Sequence, residues 1–491
     1  MLKISERIKG GKHRLLWMSK MNLKKISENI WEIPKERKMN VPGRVFASDK
    51  LMERIKEDKT LEQIKNAGML PGIVKYSIAM PDAHQGYGLC VGGVIAFNLK
   101  NGIVSPGATG YDINCGVRLL SSEIKKEEFL KKRKEITHQI KRDVPSGVGR
   151  GGELKFTDKE IDEILKKGVK YFVEKGIGKK SDIEYCEDNG CILGANPEKI
   201  SQRAKARGRN QLGTIGAGNH FLEIQEIEKI YDEKTAKVFG LKQGNICVLI
   251  HSGSRGLGHQ TCSDYLKICE KEYGINHLPD RELAYAPIDS KIGKDYIEAM
   301  RASANFAFCN RHLIAHLAKK AFSKFFPKKE LELVYDVAHN IIKFEEFQLN
   351  GKKTELCVHR KGATRSFGIG RKELPKKYQK TGQPILIPGS MGTYSYVLVG
   401  TEKAREISFA STAHGAGRIL SRTEAKKRFS PEFVKNELEK NDVYIEAGSV
   451  NGMVEEAPSA YKDVNEVVKV SHELGIGNIV ARLKPLAVIK G

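Results

Sequence analysis

The chain has 491 residues, of which 40% are hydrophobic, so it can bury a large core and is not a disordered polypeptide. Lysine and arginine total 84 against 60 aspartate and glutamate residues, which gives a net charge of +24 at pH 7. This excess favours a polyanionic partner, with nucleic acid as the leading candidate and a lysine-rich solvated surface as the plainer alternative.

The first predicted elements follow a basic, weakly patterned N-terminal extension, residues 1–20, which we expect to be peripheral. Residues 60–66 are expected to form a helix, and residues 85–97 are typical of a strand interrupted by glycines, which permit sharp bends. Lysine-rich stretches with helical periodicity follow at residues 122–142 and 157–176.

The second half of the chain alternates short strands with long helices. Residues 246–250 and 331–337 predict buried strands that deliver His251 and His339 at their ends. The other predicted elements are a long helix at 295–325, strands at 384–388 and 396–399, and a charged helical stretch at 422–440. Because no repeat or linker divides the chain, we predict one mixed α/β (α+β) catalytic unit over residues 21–491, with metal ligands on loops at strand ends.

The nine cysteines show no regular disulfide spacing, which indicates a reducing compartment, and we expect a cytoplasmic protein. Cys186 and Cys191 have no second pair to complete a zinc knuckle, so we interpret them as ordinary thiols. The N-terminus lacks the apolar segment of a signal peptide, and no apolar run approaches the roughly 18 residues of a membrane span. We therefore expect no membrane partner.

Five side chains of metal-binding type lie beside glycine, asparagine or serine in turn-like contexts. They are Asp112, Cys115, His220, His251 and His339. Thiolate and imidazole are borderline-soft ligands and carboxylate is hard, so the set suits a divalent transition ion, and softness alone predicts zinc. Five ligands are too many for one catalytic ion with an open position, whereas a bridging cysteine between two ions would use them all. The alternative is that some of these residues are structural.

A sixth residue, His414, precedes Gly415-Ala416-Gly417-Arg418, where small residues let backbone N–H groups approach a phosphate and the arginine adds charge. Histidine can act as a covalent nucleophile toward phosphorus, while a further metal ligand or a helix-entry histidine are the alternatives. The chain contains no P-loop motif and no Lys-x-Asp-Gly motif. Gly147, Gly149 and Gly152 lack the flanking strand and helix of a Rossmann site.

Three further segments each allow two interpretations. Asp82 either orients a ligand histidine or is a plain turn carboxylate. The basic stretch from His359 to Arg365 is expected to be a loop that contacts phosphate, with a solvated surface loop as the alternative. Ser390, in the segment from Pro388 to Ser395, is a candidate nucleotide contact, although turn chemistry alone accounts for Pro-Gly-Ser.

Together these motifs resemble those of the RtcB family of RNA-splicing ligases. The resemblance extends from about Trp31 to Gly491. It is carried by Pro81-Asp82, Asp112–Val117, Gly218–Phe221, His251–Gly256, Val337–Asn340, His359–Arg365, Pro388–Gly392, His414–Arg418 and Glu455–Pro458. Two departures are the extension at residues 1–20 and Ala83, which stands where we expect glycine.

The resemblance implies a GTP- and Mn²⁺-dependent ligase that joins RNA ending in a 3′-phosphate or 2′,3′-cyclic phosphate to RNA with a 5′-hydroxyl. It implies that His414 attacks the α-phosphate of GTP, that GMP passes to the RNA 3′-phosphate, and that the 5′-hydroxyl then displaces GMP. It further implies two Mn²⁺ ions bridged by Cys115. Asp112 and His220 would complete one ion's site, and His251 and His339 the other's.

For the nucleotide, the resemblance implies that Asn219 contacts phosphate. It also implies guanine contacts from Glu223, Ser395, Tyr461 and Lys490, with Gly415, Ala416 and Gly417 near the ribose. The implied partners are RNA, usually tRNA halves in splicing and also RNA under repair, and a small activator protein called archease. The residues themselves leave two rivals open, a metal-dependent RNA hydrolase or nuclease and a non-catalytic RNA-binding protein.

Overall fold

The computed structural model describes residues 22–147 and 149–491, so the extension predicted for residues 1–20 lies outside the described residues. Within these ranges the chain has the mixed α/β fold that its sequence predicted. The strands are β1 Lys24–Ser27, β2 Ile30–Ile33, β3 Gly43–Phe46, β4 Ser77–His84, β5 Val91–Asn98, β6 Ile103–Val104, β7 Gly116–Lys125, β8 Phe221–Ile230, β9 Asn245–Ser252, β10 Ala286–Pro287, β11 Leu331–Ala338, β12 Asn340–Leu349, β13 Lys352–Lys361, β14 Ala363–Arg365, β15 Pro384–Ile387, β16 Ser395–Val399, β17 Ser411–Ala413, β18 Tyr444–Ala447 and β19 Asn478–Lys490.

The helices are distributed along the whole described chain, mostly in short segments between strands. They are α1 Asp49–Lys56, α2 Thr60–Ala67, α3 Pro106–Thr109, α4 Lys126–Leu130, α5 Arg133–Asp143, α6 Asp158–Lys167, α7 Lys170–Glu174, α8 Lys180–Glu184, α9 Gln202–Gly208, α10 Glu233–Phe239, α11 Arg255–Tyr273, α12 Lys291–Ser323, α13 Glu402–Ile407, α14 Arg422–Arg428, α15 Pro431–Lys440, α16 Val450–Glu455 and α17 Val464–Glu473.

One sheet has seven strands in the order β1-β2-β3-β4-β5-β13-β12, antiparallel except where β3 runs parallel to β4. Its central strand β4 is buried along almost its whole length, since α1, α2 and α17 pack against it. Because helices cover this strand, a polar side chain in it is tolerated only where it has a hydrogen-bonding or charged partner. Asp82, in β4, is one of these side chains.

The second sheet has the strand order β11-β7-β9-β8-β19-β16-β15, with β18 parallel to β19. Alternate residues of its strands face α5 and α12, as the period of two in a strand requires. Leu120, Ile224 and Val248 thus form a core cluster with Ile140 and Ile314. This packing fixes the strand ends, which carry the functional loops.

The antiparallel pairing of this sheet brings distant parts of the chain to one end. Gly116, the first residue of β7, pairs with Ser252 near the end of β9 and with Ala338 at the end of β11. Phe221, the first residue of β8, pairs with His251. The residues next to these positions therefore lie side by side, although Gly116 and Ala338, for example, are 222 positions apart in sequence.

Several sequence predictions of elements are confirmed. Helix α2 covers the predicted stretch at 60–66, and the long helix predicted at 295–325 is α12, Lys291–Ser323. The strands predicted at 246–250 and 331–337 are β9 and β11. Each was marked by a run of apolar residues long enough to identify its periodicity.

Other predicted elements were too long or of the wrong type. The helix predicted at 122–142 starts as strand β7, which continues to Lys125 because it pairs with β9. The helix predicted at 157–176 divides at Gly168, whose φ is +59°. The stretch at 422–440 divides before Pro431, which begins a new helix. Of the strand predicted at 85–97, only the part from Val91 is strand β5.

The basic stretch from His359 to Arg365 is not a loop, and that prediction was wrong. It forms the end of β13 and all of β14, and Arg360 is fully buried on β13, between β5 and the edge strand β12 of the seven-stranded sheet. The guanidinium of Arg360 donates to both carboxylate oxygens of Glu345, at 3.0 and 2.7 Å. A buried charge is tolerated when it is paired in this way, so Arg360 is a structural residue and not a surface contact for phosphate.

No helix in residues 22–147 and 149–491 is long and apolar enough to cross a membrane.

Candidate active site

The turn from Asp112 to Cys115 brings a carboxylate and a thiol close together. The Cys115 N–H donates to the Asp112 carbonyl at 2.9 Å, and Asn114 has a φ of 53°, a left-handed conformation that asparagine tolerates well. The Asn114 side chain donates to the Ala304 carbonyl at 2.7 Å and accepts from Arg311 at 3.1 Å. Because both partners belong to α12, this helix fixes the turn.

The carboxylate of Asp112 is positioned by the loop after β9. Its Oδ1 accepts from the N–H and the hydroxyl of Ser254, at 2.9 and 3.0 Å, and its Oδ2 lies 2.9 Å from His220 Nε2. A Cβ at position 253 would lie 2.2 Å from Oδ2, so this loop requires Gly253. Burial acts to raise the pKa of Asp112, but the contact with His220 outweighs it and lowers that pKa, so the carboxylate is ionised.

The five predicted metal ligands converge at this end of the sheet. Cys115 Sγ lies 3.3 Å from His220 Nε2 and 3.3 Å from His251 Nε2. His251 Nε2 lies 3.3 Å from His339 Nε2, and Asp112 adjoins His220 on the other side. The donor atoms thus form a continuous row with the sulfur inside it, between two histidines. The structure therefore brings all five residues together as the sequence predicted.

The donor atoms of this cluster are better suited to binding a cation than to hydrogen bonding with one another. Burial lowers the pKa of His220, His251 and His339, so each imidazole is neutral and holds one proton for two nitrogens. Among the described residues, Nδ1 of His220 and of His251 have no hydrogen-bond partner, and burial raises the pKa of the Cys115 thiol. Divalent transition ions would take the Nε2 lone pairs, which face the cluster, leave the imidazole protons on Nδ1 and convert the thiol to a thiolate, because carboxylate, thiolate and imidazole all ligate such ions.

His414 follows β17 and lies next to this cluster, with its ring centroid 4.8 Å from that of His339. Its Nδ1 lies 2.5 Å from Oδ2 of Asp82, and that same oxygen accepts from the N–H groups of His414 and Gly415, at 2.9 and 3.2 Å. A carboxylate at Nδ1 fixes the tautomer and leaves the lone pair on Nε2. The arrangement favours His414 as a nucleophile over its two alternatives.

Asp82 is therefore not a plain turn carboxylate; of its two interpretations from the sequence, the structure favours that of an orienting group, and the histidine that it orients is His414. It lies in strand β4 and is fully buried. Burial acts to raise its pKa, but His414 and Lys462 outweigh that effect and lower the pKa. An ionised Asp82 then holds a proton on Nδ1 of His414.

A cavity of about 870 Å³ opens over the row of metal-type ligands and His414. It is within the range of small-molecule sites, which measure roughly 300 to 1,000 Å³. Its wall includes Asn219, Ser390, Gly415, Ala416, Gly417, Tyr461 and Lys490, seven of the predicted nucleotide contacts. Gly417 has a φ of +72°, and a Cβ there would lie 2.1 Å from the Asp82 carbonyl, so the loop after His414 requires glycine.

Two other predicted nucleotide contacts, Glu223 and Ser395, are fully buried and are not in the wall of this cavity. Gln225 links them, since its Nε2 donates to Glu223 at 2.7 Å and to Ser395 at 2.9 Å. The Ser395 hydroxyl accepts from the Gly389 N–H at 3.1 Å and so supports the loop that carries Ser390. In this arrangement both residues are placed to shape the cavity wall.

Burial raises the pKa of Glu223 to about 8, which predicts a pH dependence of stability. Between its ordinary pKa and about 8, only the unfolded state has lost the proton, so folding becomes less favourable as the pH rises, by up to a few kcal/mol. Glu223→Gln should remove this loss. From pH 5 to pH 8, the urea concentration at the unfolding midpoint of Glu223→Gln should rise relative to that of the parent protein. Glu53→Gln, at an exposed position, should differ from the parent by the same amount at every pH in this range.

The far wall of the cavity is closed by an ion-pair network. Arg418 donates to Glu456 at 2.8 Å and to the Tyr461 hydroxyl at 3.1 Å, and Arg422 donates to the other oxygen of Glu456 at 2.8 Å. The charge of Arg418, which the sequence suggested for phosphate, is thus balanced by Glu456. Lys490 donates to the His220 carbonyl at 2.9 Å, and burial lowers its pKa to about 8.

Comparison with known proteins agrees with this geometry. The family model described as "tRNA-splicing ligase RtcB" matches residues 63–491. The "tRNA-splicing ligase RtcB" of Thermococcus kodakarensis is 50% identical over 477 residues, covering 96% of this chain and 99% of that protein. That of Nanoarchaeum equitans is 53% identical over 96% of this chain and its own whole length. An "RNA-splicing ligase RtcB homolog 1" from Entamoeba histolytica is 43% identical, covering 95% and 88%.

The chain belongs to the RtcB family of tRNA-splicing ligases. The resemblance found in its motifs is thereby confirmed, and the family model covers every residue of the cavity wall that was predicted from the sequence.

Sequence reasoning missed two buried cations at this RtcB-family site. Lys462 lines the cavity and donates to the Ala83 carbonyl, and burial lowers its pKa to about 8. Arg311, on α12, pairs with Asp336 at 2.7 Å and donates to the Asn114 carbonyl at 2.7 Å, beneath the metal-type ligands. A single basic residue in a helix or after a turn gives no signal of this kind in a sequence, because its buried partner lies far along the chain.

Proposed function

We propose that this protein is a GTP-dependent RNA ligase that joins RNA ending in a 3′-phosphate or 2′,3′-cyclic phosphate to RNA with a 5′-hydroxyl. The observation that carries the proposal is the placement of His414. Its Nδ1 is held by a buried carboxylate, and it lies beside five metal-type ligands in one cavity. A hydrolase in which metal ions activate the attacking water needs the metal-type ligands but does not require a nucleophilic histidine that is oriented in this way.

The first step follows from the tautomer of His414. Its Nε2 attacks the α-phosphorus of GTP, a nitrogen–phosphorus bond forms, and the bond to the pyrophosphate leaving group breaks. Asp82 keeps the remaining proton on Nδ1 and balances the positive charge that develops on the ring. The buried ammonium groups of Lys462 and Lys490, in the same cavity wall, favour the negative charge of the phosphates.

In the second step an oxygen of the RNA 3′-phosphate attacks the phosphorus of GMP, and the bond to His414 breaks. In the third step the 5′-hydroxyl of the other strand loses its proton and attacks the activated 3′-phosphate, which releases GMP. The new phosphodiester therefore retains the phosphorus of the 3′ end. The second transfer gives the RNA 3′-phosphate a good leaving group, GMP, in place of an oxide.

We propose two Mn²⁺ ions at the cluster. Asp112, Cys115 and His220 would hold one, and Cys115, His251 and His339 the other. Softness alone had predicted zinc, and manganese comes from the family resemblance, since metal availability can override intrinsic affinity. When bound, such ions neutralise the phosphate charge that repels each attacking group. We further propose tRNA halves as the RNA and an archease-type protein as an activator, in the cytoplasm.

Asp82→Asn tests the orienting carboxylate. An amide oxygen is a weaker hydrogen-bond acceptor for the Nδ1–H group than a carboxylate, and an amide also permits the tautomer that is protonated on Nε2. The rate of GMP–protein formation at saturating GTP should therefore fall on the order of 100-fold or more. The KM for GTP should change little, and the optimum of the pH–rate profile should shift. RNA that is already guanylylated should be joined at the parent rate. A variant that forms the adduct normally would show that Asp82 is only structural.

A further inference from the structure

An exposed aromatic cluster lies at the rim of the cavity, next to the metal-type ligands. Tyr87 is 67% exposed and lies edge-on to Tyr111, with ring centroids 6.0 Å apart at 85°. Tyr111 is tilted by 30° against the exposed ring of His259, at 5.0 Å. All three residues line the cavity, and Tyr111 directly precedes the ligand Asp112. The rim therefore presents ring faces beside the reacting centre.

The loop that carries Tyr87 is held in place by four side-chain hydrogen bonds. Gln63 donates to the Gly86 carbonyl at 2.8 Å and accepts from its N–H at 3.0 Å, and Asp58 accepts from the Gln85 N–H at 2.7 Å. The buried ammonium of Lys361 donates to the carbonyl of Tyr87 itself. These bonds fix the backbone on both sides of an exposed ring.

The loop that carries Tyr87 also packs closely against Glu282. Gly88 has a φ of +70°, and a Cβ there would lie 2.7 Å from the Glu282 carbonyl. Glu282 also accepts from the Tyr111 hydroxyl at 2.8 Å, so it anchors the second ring of the cluster. A large ring that is exposed yet rigidly supported loses little entropy when a ligand stacks on it, because its position is already fixed.

The chemistry of the rim suits a nucleobase. Every base has a π face, and stacking on aromatic side chains binds single-stranded nucleic acid without dependence on sequence. Arg54, Arg422 and Lys361 line the same cavity, and the chain carries a net charge of +24, so a polyanionic strand is favoured over a neutral apolar partner. A strand whose terminal phosphate reaches Cys115 has its neighbouring nucleotides at this rim.

We propose that Tyr87, supported by Tyr111 and His259, is a stacking platform for a nucleobase next to the RNA end that is being joined. The proposal rests on the proposed function in one respect, that the substrate is RNA. It adds a residue that binds the strand and does not take part in nucleotide transfer.

The test uses RNA with 2-aminopurine near its 3′-phosphate end or near its 5′-hydroxyl end. With the full-length protein, we expect stacking to quench the fluorescence of at least one of these probes, and Tyr87→Ala to lose that quenching. Tyr87→Phe should retain it, whereas Tyr87→Leu, which has similar bulk and no ring, should not. The KM for RNA in ligation should rise about 5- to 150-fold in the Ala and Leu variants, as expected for one lost base stack.

The rate of GMP–protein formation should be unchanged in all three variants, which shows that they fold. Tyr231→Ala is the matched control, since Tyr231 is 43% exposed but lies away from this cavity. Quenching and KM that are equal in the Leu variant and the parent protein would overturn the proposal, as would absence of quenching at both RNA ends. A parent protein that quenches the probe but forms no GMP adduct would contradict the proposed function and leave the platform supported.

Discussion

Replacing His414 with alanine is expected to abolish the covalent GMP adduct and to leave metal content and RNA binding unchanged. The reason is geometric, because Asp82 occupies Nδ1 of this imidazole and leaves Nε2 as the nucleophile beside the metal-type ligands. Overall ligation should fall below detection. The variant should nonetheless join RNA that already carries a guanylylated 3′-phosphate, since only the attack of the 5′-hydroxyl remains.

The measurement is incubation with GTP labelled at the α-phosphate, followed by denaturing electrophoresis. The adduct of the parent protein should be labile to acid and stable to alkali, as expected for a phosphoramidate. His472→Ala, at an exposed histidine of α17, should form the adduct normally. Three lysines in the same cavity wall, Lys361, Lys462 and Lys490, are the competing nucleophiles. An adduct that persists in His414→Ala, or that maps to one of these lysines by peptide mass spectrometry, would refute the assignment.

Two of the metal-type ligands, His251 and His339, could be placed from the sequence because each lies beside a strand end with a recognisable apolar run. The run 246–250 ends at His251, and the run 331–337 ends just before His339. Antiparallel pairing with β7 then brings both to Cys115. A loop of small residues at a strand end is a local sequence pattern, so it can be recognised without knowledge of the fold.

The rest of the site depends on partners that are distant in sequence. Asp82 and His414 are 332 positions apart; Asp82 lies in β4 of the seven-stranded sheet, whereas His414 follows β17 of a two-stranded sheet. Arg360 was misread because a charged residue normally marks the surface, and only the opposite strand supplies the Glu345 that neutralises it. Buried ion pairs of this kind cannot be inferred from periodicity, since they break the pattern that periodicity relies on.

Replacing Cys115 with alanine is expected to remove bound metal from both halves of the cluster. Its sulfur lies 3.3 Å from one histidine of each proposed ion site, so it is the one ligand whose loss affects both ions. We expect metal affinity to fall more than about 100-fold, beyond the effect of removing a residue that only orients a ligand. Adduct formation should be lost as well, because uncompensated phosphate charge repels the nucleophile.

The measurement is elemental analysis after equilibration with Mn²⁺ and removal of free ion. The control is Cys269→Ala, which removes a buried thiol of α11 that lies away from the cavity. Analysis of the untreated protein also decides between manganese and the zinc that ligand softness predicted. Loss of metal together with loss of the adduct would link the cluster to the first transfer. A Cys115→Ala protein with full metal content would instead mean that the sulfur is not a ligand, and the row of donor atoms would have to be divided differently between the ions.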